Sequence, residues 1–336
     1  MSAAPAATDN FAAQLEASMM RALPDTTGIA NLIRLSGGAS QETWSFDALS
    51  KAGTRKLILR RAPGGERQSE TAAGLDIEAE LIDLAGKAGV PEPAVIHVMR
   101  PEEGVGKGFV LSFVDGETLG RKIVRDDTFA EARKTLAFQC GETLARIHQL
   151  PLVKLPKLRT ANARDRFDEL HNRYRISERP RPVFALAFEW LRDRLPKEPP
   201  PPRLVHGDFR NGNLIVGPDG LRAVLDWELA HLGDPVEDLG WICIAPWRFG
   251  GEGPAGGFGS YQQLIDGYKA GGGGDVTLDQ LKWWEVLGSL SWGVSCASMH
   301  ITFRSGVERT SERAMIARRA SENEIDLLNL LVPRAA

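Results

Sequence analysis

Val205-His206-Gly207-Asp208-Phe209-Arg210-Asn211-Gly212-Asn213, followed by Leu225-Asp226-Trp227-Glu228, is the stretch that decides how this chain reads. Between the two pieces, Asn213–Val216, the turn Gly217-Pro218-Asp219-Gly220 and Leu221–Leu225 read as a β-hairpin. Asp, Asn and Gly favour turns, so any one of His206, Asp208, Asn213 and Asp226 taken alone reads as a turn residue. All four in this order, set between two apolar strands, ask for a chemical explanation.

Phosphoryl transfer supplies one. Its protein loops carry H-x-D, an Asn five residues after that Asp, and a further Asp beyond a short hairpin. The reaction needs alignment and charge neutralisation more than covalent help. Asp208 would accept or orient the proton of an attacking hydroxyl. Asn213 and Asp226 offer hard oxygen ligands of the kind Mg²⁺ prefers. Arg210 carries a guanidinium fork two residues after Asp208, suited to bidentate contact with a transferring phosphate.

Working outward, the 336 residues suggest two domains or lobes, with enough chain for a large core. Lys and Arg number 41 against 44 Asp and Glu, a net charge of −3, which argues against sequence-independent nucleic-acid binding. Three dispersed cysteines imply no disulfide framework and fit a reducing compartment. The Ala-rich start lacks the pattern of a secretory signal, and no apolar run is long enough to span a bilayer. A soluble, cytoplasmic protein is expected.

Residues 1–10 read as an irregular start and 11–23 as an amphipathic helix carrying Phe11, Leu15 and Met19. The order β-β-β-α-β-β follows: strands around Ile33-Leu35, Thr43–Phe46 and Lys56–Arg60, a helix over 70–88, then Ala94–Met99 and Gly108–Val114. Beyond Asp115-Gly116 the periodicity turns helical over 129–150, 183–195, 235–243, 258–270, 277–300 and 306–332.

The stretches HGDFRNGN, LDWE and GDPVEDLGW (Gly233 to Trp241) resemble the aminoglycoside phosphotransferase and choline kinase-like superfamily. With GGASQETWSF and LILRRAP, they are similar to a bacterial subgroup related to the kinase-like domains attached to some acyl-CoA dehydrogenases. The resemblance covers about residues 26–330. It implies an α+β, bilobal protein kinase-like fold. Residues 1–25 would form an N-terminal extension, 26–114 a small antiparallel β-sheet lobe with one helix, and 115–336 a larger, mainly helical lobe. ATP and Mg²⁺ are the implied cofactors. Gly37, Gly38, Ala39 and Ser40 would cover the phosphates, although they depart from G-x-G-x-x-G. Arg60 would stand where the family usually has Lys, with Arg61 as competitor, and Glu78 would be its partner, with Glu80 as fallback. Backbone groups at Phe113 and Val114 would meet adenine. Asp238 would brace the catalytic loop. Trp227 and Glu228 replace the Phe and Gly of D-F-G.

Competing motifs fail. Gly104–Gly108 lacks the first Gly and the Ser or Thr of a P-loop and reads as a turn; H-E-x-x-H, C-x-x-C and G-x-S-x-G are absent. The acceptor is read from the C-terminal region. His300, Arg304, Arg309, Arg313, Arg318 and Arg319 favour an anionic or hydroxyacyl small molecule, with Trp247, Arg248, Trp283, Trp284 and Trp292 as candidate pocket residues. An aminoglycoside acceptor is the alternative within the class. A non-catalytic nucleotide-binding module is the alternative outside it.

Overall fold

The computed structural model describes residues 5–37, 41–62, 72–175, 180–306 and 309–332. The chain divides into two compact units. The first comprises Met1–Asp115, Lys154–Lys157 and Arg222–Leu229; the second comprises Gly116–Val153, Leu158–Leu221 and Ala230–Ala336.

The first unit contains α1 (Pro5–Ala22), β1 (Thr26–Gly37), β2 (Glu42–Ser50), β3 (Gly53–Ala62), α2 (Leu75–Lys87), β4 (Val95–Val98) and β5 (Lys107–Ser112). The five strands form one antiparallel sheet in the order β1-β2-β3-β5-β4. Helix α1 begins earlier than its apolar stripe indicates, so the expectation of an irregular stretch over 1–10 fails for residues 5–10. The fixed φ of proline suits a first helical turn, and the alanines after Pro5 propagate it. Phe11, Leu15 and Met19 of α1 pack with Phe46, Leu57 and Leu59 of the sheet. Period-two alternation in β3 buries Leu57 and Leu59 and leaves Ile58 and Arg60 on the opposite face.

The second unit is mainly helical. It contains α3 (Gly120–Arg125), α4 (Ala130–His148), α5 (Ala163–Arg175), α6 (Pro182–Asp193), β6 (Arg203–Val205), β7 (Leu214–Gly217), β8 (Gly220–Val224, whose last three residues group with the first unit), β9 (His231–Gly233), α7 (Val236–Cys243), α8 (Tyr261–Ala270), α9 (Leu278–Arg304), α10 (Ser311–Arg318) and α11 (Ala320–Leu331). The single helix expected over 306–332 is two helices meeting at Arg319, with Thr310 capping α10 through the Arg313 amide. Phe184 and Phe188 of α6, Phe167 of α5, and Trp283, Trp284 and Leu290 of α9 form the core of this unit. Helices α4 and α8 touch backbone to backbone. A Cβ on Gly141 would lie 2.2 Å from the Leu264 carbonyl, and one on Gly267 would lie 2.0 Å from that of Phe138. Strands β6 and β9 pair antiparallel, Val205 opposite His231 and Arg203 opposite Gly233, so the chain leaves β6 beside the start of β9. Among the described residues no helix is long and apolar enough to cross a membrane.

Candidate phosphotransfer site

In the second unit the loop leaving β6 folds on its own polar groups. Gly207 and Gly212 take φ of 82° and 112°, where a side chain would be strained. The Asp208 carboxylate then collects three side-chain donors. Trp241 Nε1 donates to Oδ1 at 2.8 Å, Arg210 Nε donates to both oxygens at 3.0 and 3.2 Å, and Asn213 Nδ2 donates to Oδ2 at 2.6 Å. Asn213 Nδ2 also donates to the Asp208 carbonyl at 3.0 Å. Both of those partners are acceptors, so the amide nitrogen is assigned to their side and the oxygen to the other.

The buried carboxylate of Asp238 holds the base of this loop. It accepts the His206 and Gly207 amides at 2.8 and 2.9 Å and His148 Nε2 at 3.0 Å. This is the bracing expected of Asp238, whose carboxylate reaches the loop from α7.

Arg210 does not stand free as a phosphate fork. Besides holding Asp208, its guanidinium lies 4.4 Å from the centre of the Trp247 ring. Trp247 continues to Trp241 at 5.5 Å and Trp292 at 4.9 Å. The candidate pocket tryptophans therefore separate, with Trp283 and Trp284 in the α5–α6–α9 core and Trp247 and Trp292 in this aromatic row. Arg248 bonds Glu285 at 2.7 Å and the Cys243 carbonyl at 2.8 Å, and Tyr261 donates to Glu285 at 2.9 Å. Burial outweighs both donors and pushes the Glu285 carboxyl up to about 7. Of the C-terminal arginines, Arg319 pairs with Glu322 at 3.0 Å and Arg313 reaches Met299 Sδ at 3.5 Å, contacts within that helical region.

In the first unit Arg60 links residues far apart in sequence. Its Nη1 lies 3.3 Å from Glu78 Oε2, while its Nη2 lies 3.1 Å from Asp226 Oδ1 and 3.2 Å from Gln41 Oε1. Burial disfavours the charged guanidinium, but Glu78 and Asp226 reverse the balance and raise its pKa. Arg61, the competitor, is engaged elsewhere. It bonds Glu42 at 2.8 Å and the Val105 carbonyl at 3.0 Å, and stacks 3.4 Å over Phe11. Glu78 is fully buried and Glu80 exposed, so α2 offers Glu78 to Arg60. Asp226 takes a φ of 73°, strained for a residue with a side chain.

Gly37 ends β1 opposite Glu42; Gly38, Ala39 and Ser40 lie outside the described residues. The Phe113 amide donates to the Lys56 carbonyl at 3.2 Å, and Lys56 Nζ sits 4.3 Å over its ring. Of the two candidate hinge residues this ties down the Phe113 N–H. Val114 is half-buried.

Sequence reasoning missed Trp241, Glu285 and Glu92. Trp241 had a signal, because it ends the GDPVEDLGW stretch. Glu92 had none: a buried carboxyl pushed well up by desolvation, it accepts Trp227 Nε1 at 3.2 Å.

Residues 31–283 match the model of the phosphotransferase enzyme family, and the chain belongs to that family. Among its relatives are acyl-CoA dehydrogenase family member 10 of Mus musculus, 29% identical over 66% of this chain and 21% of the relative, and acyl-CoA dehydrogenase family member 11 of Gallus gallus, 28% identical over 68% and 30%. The chain thus spans less than a third of the length of these relatives. A Ralstonia eutropha structure assigned to the aminoglycoside phosphotransferases superposes with a TM-score of 0.71 at 20% identity, covering 95% of this chain and 97% of the other. Aminoglycoside phosphotransferase APH(4)-Ia, in ternary complex with ADP and hygromycin B, gives 0.62 at 16% identity over 95% and 99%. The fold is therefore the kinase-like α+β fold of these proteins.

Proposed function

We propose that this chain is an ATP- and Mg²⁺-dependent kinase for a small-molecule hydroxyl, with an anionic or hydroxyacyl compound as the favoured acceptor. One observation carries the reading. The Asp208 carboxylate is held by Trp241, Arg210 and Asn213 on a loop braced by Asp238, an arrangement that fixes a base in orientation. The acceptor oxygen bonds to the γ-phosphorus as the bond to the β-bridging oxygen breaks. ADP leaves with that electron pair, and the hydroxyl proton passes to Asp208. Arg210 steadies the carboxylate and adds positive charge beside it.

The donor set suits magnesium: Asn213 has its amide nitrogen engaged and its oxygen left over, and Asp226 adds a carboxylate. These two residues would hold the ion. It would neutralise phosphate charge. Arg60, fixed by Glu78, would anchor phosphate in the place the family gives to Lys, and Gly37–Ser40 and the Phe113–Val114 backbone would complete nucleotide binding.

The acyl-CoA dehydrogenase names of the relatives support a hydroxyacyl acceptor. The hygromycin B complex of a structural neighbour supports the aminoglycoside alternative. The test is ADP release across matched panels of hydroxyacyl compounds and aminoglycosides. Turnover with the first panel, lowered about 10²–10⁴-fold in Asp208→Asn while ATP binding persists, is the expected result. Turnover confined to aminoglycosides overturns the acceptor. ATP binding with no turnover on either panel favours the non-catalytic alternative.

A further inference from the structure

The second unit contains a cavity of about 1030 Å³ that no part of the proposed phosphotransfer uses. Its walls include Trp283, Trp284 and Tyr268, and the carboxylate of Asp234. The two indoles meet edge to face at 5.0 Å. Asp234 is only 7% exposed and accepts the Val236 amide at 2.9 Å and the Trp284 indole. Among the described residues no Lys or Arg pairs with it, and desolvation raises its pKa. Such a carboxylate is stabilised by a positive charge brought to it.

The other charges of the lining leave that need unmet. Arg194 and Lys282 lie over the Trp190 ring at 4.7 and 5.8 Å, and Asp275 is answered by Lys269 at 2.7 Å. Glu198 and Asp279 add further negative charge. A drug-sized cavity with aromatic walls and a buried carboxylate has the composition that selects organic cations.

We propose that this cavity is a second small-molecule site, for an ammonium compound with an apolar body, and that its wall is wired to the catalytic loop. Tyr268 bonds His148 Nδ1 at 2.9 Å, His148 Nε2 bonds Asp238 Oδ2 at 3.0 Å, and Asp238 accepts the His206 and Gly207 amides. Asp238 is an acceptor, so the ring carries a proton on Nε2, and the Tyr268 hydroxyl is paired with the opposite ring nitrogen. A ligand that moves Tyr268 therefore acts on the hydrogen bonds that hold the residues preceding Asp208.

The test uses the full chain without ATP, so it does not depend on turnover. Binding of 2-phenylethylammonium and of its uncharged counterpart 2-phenylethanol is measured by calorimetry. The cation is expected to bind at least tenfold more tightly, to lose at least tenfold in Asp234→Asn, and to be excluded by Val276→Trp, which fills the lining while leaving Asp234 in place. Circular dichroism checks that each variant is folded. Hydrogen exchange at the His206 and Gly207 amides should change on binding in the wild type and not in Tyr268→Phe, which keeps the cation. Equal binding of the alcohol, or undiminished binding in a folded Asp234→Asn, overturns the cation class. No binding, or binding that survives Val276→Trp, overturns the site. Exchange that responds equally in Tyr268→Phe overturns the wiring.

Discussion

The Arg60 cluster and the Asp208 loop are both charged constellations, but they are assembled in opposite ways. Arg60, Glu78 and Asp226 come from a strand, a helix and a strained turn far apart in sequence, and one guanidinium joins two carboxylates. Asp208, Arg210 and Asn213 come from one short loop, and the outside help arrives from Asp238 and Trp241 of α7. A distributed cluster depends on the tertiary structure of its unit. A local loop needs its backbone pinned. Removing a member should therefore damage stability in the first case and geometry in the second.

The largest expected effect is Arg60→Met. Glu78 would remain buried and lose its cation, and breaking a buried pair from one side costs about 3–5 kcal/mol. Urea denaturation followed by circular dichroism would measure it. Glu78→Gln, which removes the buried charge as well, should cost clearly less. Equal losses would mean that Arg60 acts through packing alone, and the contrast between the two regions would lose its basis.

Next comes Asp238→Ala. It leaves the His206 and Gly207 amides and His148 Nε2 without their acceptor inside the protein, at about 1–3 kcal/mol for each unsatisfied group. Partial relaxation of the loop should bring the total to about 3 kcal/mol. The informative reading is local: hydrogen exchange should accelerate over residues 206–213 before the helices of the unit respond. Uniform acceleration through α4 and α9 would show that Asp238 supports the whole unit rather than the loop.

These differences also explain what could be read in the sequence. The loop motif was legible because its residues are neighbours, so their spacing carries their geometry. The succession of three strands, a helix and two strands was legible through alternation and periodicity, while the Arg60–Glu78 pairing came from the family resemblance, with Arg61 and Glu80 still open. The engagement of Arg210 by Asp208 and Trp247 was not, because no local spacing specifies which acceptor a long guanidinium reaches. Nor was the division of the tryptophans, since Trp283, Trp284 and Trp292 all lie on α9 and a helical pattern does not say what each indole packs against. The break at Arg319 escaped because its neighbours continue an apolar pattern through two short helices.

Trp241→Phe sharpens the reading of the loop. It keeps an aromatic ring and removes one hydrogen bond to a carboxylate, a type of bond that contributes about 1.5–3 kcal/mol, or 10–100-fold. With Asp208 partly open to solvent, the expected loss in kcat is at the lower end, near tenfold, with ATP affinity unchanged. A lowered ATP affinity and an unchanged kcat would remove Trp241 from the base's support.

The smallest expected effect concerns Glu285, which like Asp208 has an aromatic and an arginine donor. Burial pushes it up to about 7 from an ordinary 4.5. Between those values the folded chain holds a proton that the unfolded chain has released. Stability is then fully present below about pH 4.5, falls as pH rises through the window, and has lost this contribution above about 7. The slope for one such proton is at most about 1.4 kcal/mol per pH unit. Glu285→Gln cannot titrate, so its urea midpoints between pH 4.5 and 8 should flatten relative to the wild type. Parallel curves for the two proteins would mean that Arg248 at 2.7 Å keeps Glu285 ionised despite its burial. Glu285 would then resemble the Arg60 cluster, a carboxylate held charged by its cation.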